Sequence, residues 1–146
     1  MITKAIDKAY RTARERNWDT IYWAIDLHGV CYPHSYGPGT YKFLGDHVVR
    51  GLQAIVARPE SRLILWSACH DNEKPDIIKH FSDHSIPVHY FNENPEIPNT
   101  RTGNFTQKFY FSIVIDDKAG FDHDEDWDRI IDYLADQEPL AVNLIK

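Results

Sequence analysis

Acidic and hydroxyl side chains stand directly after three apolar segments of this sequence. Asp26 follows IYWAI, Ser67 follows RLILW, and the pair Asp116 and Asp117 follows FSIVI. A carboxylate can attack a phosphoryl group and form an acyl phosphate, which divides one difficult displacement into two easier steps. A divalent cation with oxygen ligands would cancel the repulsion between the carboxylates. The hydroxyl of Ser67 and the ammonium of Lys108 could then hold the remaining phosphoryl oxygens.

Each of these residues also has an ordinary structural interpretation. An aspartate at a strand end is often a helix cap or part of a turn, and serine is a common N-cap. A lysine is most often solvated, so Lys108 by itself carries little information. Two adjacent aspartates, in contrast, repel each other unless a cation compensates them. The combination of these residues in this order, rather than any one of them, indicates phosphoryl and metal chemistry.

The elements that must position these side chains follow from the alternation of apolar and helical patterns. Strands are predicted at 21–26, 62–67, 88–91, 110–117 and 140–145, and helices at 3–16, 45–59, 72–84 and 124–136. Strands that alternate with helices predict an α/β sheet with right-handed crossovers, and ligands of such sheets gather beyond the carboxyl ends of the strands. Three of the predicted strands end there in polar groups.

Two long loops are predicted between these elements. The segment 31–44 is rich in turn residues and aromatics and leaves directly from the strand that ends at Asp26, so we expect it to lie over the site. Its tyrosines could stack on a sugar or base, although loop aromatics more often pack under their own loop; they are Tyr32, Tyr36 and Tyr41. The polar segment 92–107 is of a length that is usually functional or mobile.

Composition restricts the class of protein. The chain has 146 residues, which fits one domain over 1–146, with an N-terminal helix in 1–17 and an α/β core in 18–146. Its formal net charge of −6 argues against nucleic acid as the main partner. No apolar run approaches the roughly 20 residues of a membrane helix. The two cysteines are too few for a disulfide scaffold, which predicts a cytoplasmic protein.

In the order and type of these motifs, the sequence resembles the haloacid dehalogenase superfamily of aspartate-nucleophile hydrolases. The first motif of that family corresponds to AIDLHGV here, the second to LILWS, and the lysine and the final acidic motif to QKFYFSIVIDDKAGF. The resemblance covers about residues 21 to 120, with the motifs in the order of the family. Any one motif is unspecific, but the four together are a fairly strong signal. The short gap between Lys108 and Asp116 is typical of small members without a cap domain.

The resemblance implies a doubly wound, three-layer Rossmann-like fold with a mostly parallel sheet, whose first strand lies between the second and the fourth. It implies that Asp26 is the nucleophile and a ligand of Mg²⁺, and that His28 offers its backbone carbonyl to the metal. Asp116 and Asp117 would complete the metal site. The phosphoryl group would be held by Ser67, Ala68 and Lys108. The expected substrate is a small phosphomonoester, with an open site that a second copy of the chain could cover.

His28 departs from the family pattern, because phosphatases of the family usually carry a second aspartate at that position. An imidazole can also donate and accept protons, with an unperturbed pKa of about 6.5, so His28 could serve as the acid-base group. A ring is not isosteric with a carboxylate, however. The substitution therefore leaves a second interpretation open, in which the protein binds metal or phosphate in a regulatory role and is catalytically impaired.

A cluster of softer ligands is a further alternative. Cys31 follows His28 closely, and Cys69 and His70 come just after the second predicted strand, so the four could hold zinc if the two strands are neighbours. The simpler interpretation is that both cysteines are small buried hydrophobes and that His70 is solvated. The remaining histidines have no ligand spacing and are interpreted as surface residues; they are residues 34, 47, 80, 84, 89 and 123.

Overall fold

The computed structural model describes residues 1–34 and 40–140 of the chain. The helices and strands, in chain order, are α1 (Ile2–Glu15), β1 (Ile21–Asp26), α2 (Asp46–Val56), β2 (Ser61–Trp66), α3 (Lys74–Asp83), β3 (Tyr90–Phe91), β4 (Ile113–Ile115) and α4 (Asp126–Ala135). Short 3₁₀ turns precede α3 at Asp71–Glu73 and follow β4 at Asp117–Ala119. None of the helices in these two described ranges is long and apolar enough to cross a membrane.

The four strands form one parallel sheet in the order β3-β2-β1-β4. The chain therefore builds outward from β1 to β2 and β3, and then returns to place β4 on the other side of β1. This arrangement confirms the predicted α/β class, the double winding and the central position of β1. It also places the carboxyl ends of β1, β2 and β4 side by side at one edge of the sheet.

One face of the sheet carries the hydrophobic core. The odd-numbered residues of β1, such as Trp23 and Ile25, are fully buried there and belong to the same cluster as Ile6 of α1, Leu52 of α2 and Ile130 of α4. Full burial of such a side chain contributes about 1.5–3 kcal/mol. The apolar positions of each helix recur at intervals of three or four residues, which is why every helix presents one stripe to this core.

The opposite face of the sheet presents Tyr22, Ala24 and Ile64, which are buried outside that cluster. Segment 92–112 lies against this face. The hydroxyl of Tyr22 donates to Glu96 Oε1 at 3.0 Å, and its ring meets that of Tyr110 edge-on with centroids 6.0 Å apart. The sheet thus has an outer layer on each face, as a three-layer Rossmann-like fold requires, with a segment that is mostly irregular forming one of them.

The fourth strand is shorter than its sequence pattern predicts. The pattern predicts residues 110–117, but the strand comprises Ile113–Ile115 alone. Tyr110 and Phe111 continue the apolar run of the strand, but the ring of Tyr110 packs edge-on against Tyr22 on the sheet face and that of Phe111 against Phe109. Long aromatic side chains that pack on a sheet face give the same signal as a strand within the sheet. The last predicted strand, 140–145, and Tyr36 fall outside the described residues, apart from residue 140.

A buried charge network lies at the amino end of the sheet. Glu60 is 3% exposed, and its Oε1 accepts from Arg58 Nε at 2.9 Å and from the Tyr10 hydroxyl at 3.0 Å. The same guanidinium donates to the backbone oxygens of Leu134 and Gln137 at 2.9 and 2.8 Å. Burial beside Glu60 raises the pKa of the Tyr10 hydroxyl. This network joins the ends of α2, α1 and α4.

Candidate functional site

Three carboxylates converge at the carboxyl edge of the sheet. One oxygen each from Asp26, Asp116 and Asp117 lies within 4.8 Å of the others. The strand register explains this, because Ile25 pairs with Ile115 across β1 and β4, and the next residue of each strand is an aspartate. The structure therefore brings together the acids that the sequence analysis selected as metal ligands. Oxygen ligands of this kind suit a hard divalent cation.

The electrostatics of this cluster are unfavourable for the protein alone. Partial burial and, after it, the negative charge of Asp116 raise the pKa of Asp26 from 3.8 to about 6. The backbone N–H of Leu27 donates to Asp26 Oδ1 at 2.8 Å and lowers this pKa in part, and Lys118 lowers it further. Since burial and the neighbouring carboxylates outweigh these two effects, Asp26 is held in surroundings where its charged form is disfavoured. A bound cation would reverse that balance.

The turn after β1 brings a histidine to the cluster. Gly29 has a φ of +77°, a conformation that residues with a Cβ rarely adopt. A Cβ there would lie 2.5 Å from His34 Nε2 and 2.8 Å from Asp117 Oδ2. His34 Nε2 lies 3.2 Å from Asp117 Oδ2. Because Gly29 has no Cβ, the loop that carries His34 can approach the carboxylate of Asp117. His34 is exposed, as predicted for a surface residue, and it also lies beside one of the clustered acids.

His28 lies in the same turn and is half-buried. It forms a backbone bridge with Tyr32, and the adjacent Gly29 N–H donates to Tyr32 O at 2.7 Å. Tyr32 is fully buried, and its ring lies 5.9 Å from that of Tyr41 and 5.5 Å from that of His80. Tyr32 therefore packs under its own loop, which favours the structural interpretation of this aromatic over stacking on a ligand.

Ser67 is held at the end of β2 by an asparagine that the sequence analysis did not select. Its backbone N–H donates to Asn92 Oδ1 at 2.8 Å, and its backbone oxygen accepts from Asn92 Nδ2 at 2.7 Å. Asn92 has a φ of +57°, which asparagine tolerates better than most residues. The Ser67 hydroxyl accepts from the Cys69 N–H at 3.2 Å, and Ala68 between them is exposed.

The lysine near the acids is not the one that the sequence predicted. Lys108 is exposed, and its backbone N–H donates to Asn104 O at 3.3 Å. In residues 1–34 and 40–140, Lys108 takes part in no ion pair. Lys118 is the lysine that lowers the pKa of Asp26, and its backbone N–H donates to Asp116 Oδ1 at 2.9 Å. The assignment of Lys108 to the phosphoryl group stays a prediction.

The zinc alternative receives no support from the described part of the chain. Cys31 is fully buried, and burial raises the pKa of its thiol well above the usual range, which disfavours the thiolate that binds metals. Neither cysteine nor His70 belongs to a group of potential ligands among the described residues. The interpretation of Cys31 as a small buried hydrophobe agrees with this environment.

A second group of potential ligands consists of His47, His123 and Asp124, with one ligand atom of each within 4.8 Å of the others. His47 Nε2 lies 2.8 Å from the backbone oxygen of His123, so these two histidines are not simply surface residues. His123 also lines a cavity of about 470 Å³ together with His34 and Asp117. This cavity therefore joins one of the three carboxylates, Asp117, to one member of the second group, His123.

Comparisons with known proteins bear on the fold. No family model and no curated protein matches this chain. A solved structure of a conserved protein from Bacteroides thetaiotaomicron is similar, with 22% sequence identity and a TM-score of 0.60 over 82% of this chain and 93% of that chain. At this identity the similarity supports the α/β fold, and the chemistry must be argued from the site itself.

Proposed function

We propose that this protein is a Mg²⁺-dependent phosphohydrolase of the haloacid dehalogenase type that acts on a small phosphomonoester through an aspartyl phosphate. The observation that carries the proposal is the convergence of Asp26, Asp116 and Asp117 at the carboxyl edge of a parallel sheet. In this proposal the three carboxylates hold Mg²⁺ together with the His28 carbonyl. The cation would neutralise the acids and the charge that develops on the phosphoryl oxygens.

The residues of the chain divide the reaction into two steps. An Asp26 oxygen attacks phosphorus, and the bond from phosphorus to the ester oxygen breaks, so that the alcohol leaves with a proton. Water then attacks the phosphoryl group and returns the Asp26 carboxylate and inorganic phosphate. Ser67, held by Asn92, would donate its hydroxyl hydrogen to a phosphoryl oxygen, since its oxygen already accepts from Cys69. The exposed Ala68 N–H and the Lys108 ammonium would bind the other oxygens.

His28 is the proposed acid-base group. It would protonate the leaving oxygen in the first step and take a proton from water in the second. His34 lies beside Asp117 and would position that carboxylate rather than exchange protons with substrate. This division of roles makes His28 the residue on which turnover depends most after Asp26.

The second candidate function is a regulatory protein that binds metal and phosphate without turnover. Two observations favour it: an imidazole replaces the carboxylate expected two residues after Asp26, and Lys108 stands exposed without an ion pair to the acids. The same cation site would serve this protein. We also propose a cytoplasmic location from the two free cysteines. We expect no nucleic-acid partner from the charge of −6, and no membrane partner because the sequence has no apolar run of the length that a membrane helix needs.

The first experiment measures phosphate release from p-nitrophenyl phosphate and a broad panel of phosphomonoesters between pH 5 and 8, with Mg²⁺ or with chelator. We expect Mg²⁺-dependent release that is lost by at least about a thousandfold in Asp26→Asn, because the nucleophile is removed. Asp132→Asn, an exposed acid on α4, is the matched control. Absence of turnover across the whole panel would reject the hydrolase.

The variant His28→Asp separates the two candidate functions. A loss of turnover identifies His28 as the acid-base group, whereas a large gain identifies a site that is impaired by the imidazole. Titration with beryllofluoride and Mg²⁺ adds a direct measurement, since a competent Asp26 should trap this phosphoryl mimic. Trapping without turnover would support the regulatory protein.

A further inference from the structure

A partly exposed pair of aromatic rings lies at the carboxyl edge of the sheet. Trp66, the last residue of β2, has a relative exposure of 45%, and the ring of Phe109 meets it edge-on with centroids 5.3 Å apart. The ring of Phe111 packs edge-on against that of Phe109, with centroids 6.1 Å apart. An indole that is supported on one side and exposed on another has a free surface on which a planar ring can stack.

The strand register places this aromatic pair beside the proposed nucleophile. Trp66 is the lateral partner of Asp26 across the parallel pair of β1 and β2. Neighbouring strands lie about 4.8 Å apart, and laterally paired residues point to the same face of the sheet. The indole and the Asp26 carboxylate therefore leave the same face at the same edge, within the reach of one small ligand.

The surroundings of Trp66 differ from those of the other exposed tryptophan. Trp18 is 38% exposed and lies at the amino end of the sheet, where the Arg16 guanidinium covers its ring at 5.1 Å and Tyr110 packs against it. Trp66 has its ring partner in Phe109, and no guanidinium covers its ring among the described residues. An exposed aromatic surface beside the proposed nucleophilic carboxylate matches a ligand that joins a planar ring to a phosphate.

We propose that Trp66 and Phe109 form the leaving-group subsite of the candidate active site and select phosphomonoesters whose alcohol carries a planar aromatic ring. This inference rests on the proposed phosphoryl site at Asp26 and adds the class of substrate. The ring stacks on the exposed indole, while the phosphate lies at Asp26 on the neighbouring strand. A nucleobase and a simple aryl group share this chemistry, and the experiment distinguishes them.

The test compares two pairs of substrates that differ in the ring alone. Benzyl phosphate is paired with cyclohexylmethyl phosphate, because the two leaving alcohols have similar acidity. Adenosine monophosphate is paired with ribose 5-phosphate. We expect Trp66→Ala to lower kcat/KM about tenfold for the aromatic member of each pair, as stacking energies predict, and less than twofold for the other member. Trp66→Phe should retain most of the preference. If Trp66→Ala lowers kcat/KM more for adenosine monophosphate than for benzyl phosphate, the preferred ring is a nucleobase. The reverse result identifies a simple aryl group.

Trp18→Ala is the matched control, because it removes an exposed indole at the opposite end of the sheet. An equal loss on aromatic and saturated substrates in Trp66→Ala would overturn the subsite. If the protein turns over none of the four compounds, their dissociation constants with Mg²⁺ are measured by calorimetry. A tenfold loss of affinity in Trp66→Ala for the aromatic ligands alone supports the subsite while the hydrolase fails. Equal affinities for aromatic and saturated ligands, or no binding, overturn it.

Discussion

The two ends of the sheet hold acidic residues in opposite electrostatic situations. At the amino end, Glu60 is almost fully buried, and Arg58 and Tyr10 donate hydrogen bonds to it. At the carboxyl end, Asp26 faces two further carboxylates, and the lysine that acts on its pKa, Lys118, is exposed. The chain thus compensates its acid at one end and accumulates acids without matching cations at the other.

The difference separates a charge whose partners the chain supplies from a charge that a bound ligand would have to compensate. When the chain supplies the partners of a buried acid, removal of one partner is strongly destabilising, because it leaves an uncompensated buried charge. An acid whose neighbours repel it costs stability until a ligand arrives. Three substitutions and one change of pH test this contrast, in order of decreasing effect on the free energy of unfolding.

Removal of the cation at the amino end should have the largest effect. Arg58→Met leaves Glu60 buried without its ion pair and removes two bonds to the end of α4, so we expect a loss of about 3–5 kcal/mol. Urea unfolding measures it. Arg62→Met is the control, because its pair with Glu96 is partly exposed and should contribute less than about 1 kcal/mol. Similar losses in the two variants would contradict the structural role of Arg58.

Gly29→Ala should have the next largest effect, because it combines a left-handed backbone with a crowded site. We expect a loss of about 1–2 kcal/mol from the backbone conformation, together with a weaker stabilisation by Mg²⁺, since the new Cβ would approach Asp117 Oδ2. Gly120→Ala, at a φ of +98°, introduces the backbone cost away from that carboxylate oxygen. An identical Mg²⁺ response in both variants would argue against Asp117 as a ligand.

Removal of the acid at the carboxyl end should have the opposite sign. Without divalent cations at pH 7, we expect Asp26→Asn to stabilise the protein by up to about 1 kcal/mol, a figure kept small because water screens a half-buried carboxylate. The increase of melting temperature that Mg²⁺ gives the wild type should disappear in this variant. Thermal unfolding with Mg²⁺ or chelator measures both effects, and a destabilised Asp26→Asn protein would show that the charge is structural.

The smallest expected effect is the pH dependence of the difference in stability between Asp26→Asn and the wild type. The pKa of Asp26 is raised from 3.8 to about 6 in the folded state, so the folded protein binds more protons than the unfolded chain in this window. Its contribution to stability therefore falls as pH rises from about 4 to 6. The difference in stability between Asp26→Asn and wild type should grow across this window and level off above it, and Mg²⁺ should bind more weakly below pH 6. A constant difference would contradict the raised pKa.

Much of the fold could be predicted from local patterns. The strands at 21–26 and 61–66 contain continuous apolar runs, and the helices show clear apolar stripes, so the α/β class followed from these patterns. The parallel sheet with its first strand between the second and the fourth, which brings the polar strand ends together, was implied by the family resemblance. Asp26, Asp116 and Asp117 were found in this way, because residues at strand ends are placed by the sheet itself. The proposed roles of these residues rest on the resemblance and stay predictions.

Residues whose position depends on tertiary contacts could not be found. His34 reaches Asp117 only because Gly29 adopts a positive φ, and Asn92 reaches Ser67 only through the neighbouring strand. The signal available in the sequence was weak: a glycine close behind a strand-end acid, and an asparagine directly after the third strand. The position of Phe109 could not be predicted for another reason. An aromatic residue in segment 92–112 could belong either to a strand or to a segment that packs on a face of the sheet.

The unequal burial of the two cysteines allows one of them to be labelled selectively near the candidate site. Cys31 is inaccessible beneath the turn, whereas Cys69 is half-buried two residues after Ser67. A maleimide dye should therefore label the chain at one position, next to the proposed phosphoryl pocket, without any cysteine having to be engineered. Fluorescence from such a label would follow ligand arrival in real time, and protection of that thiol by a ligand would locate the ligand independently of any assay of turnover.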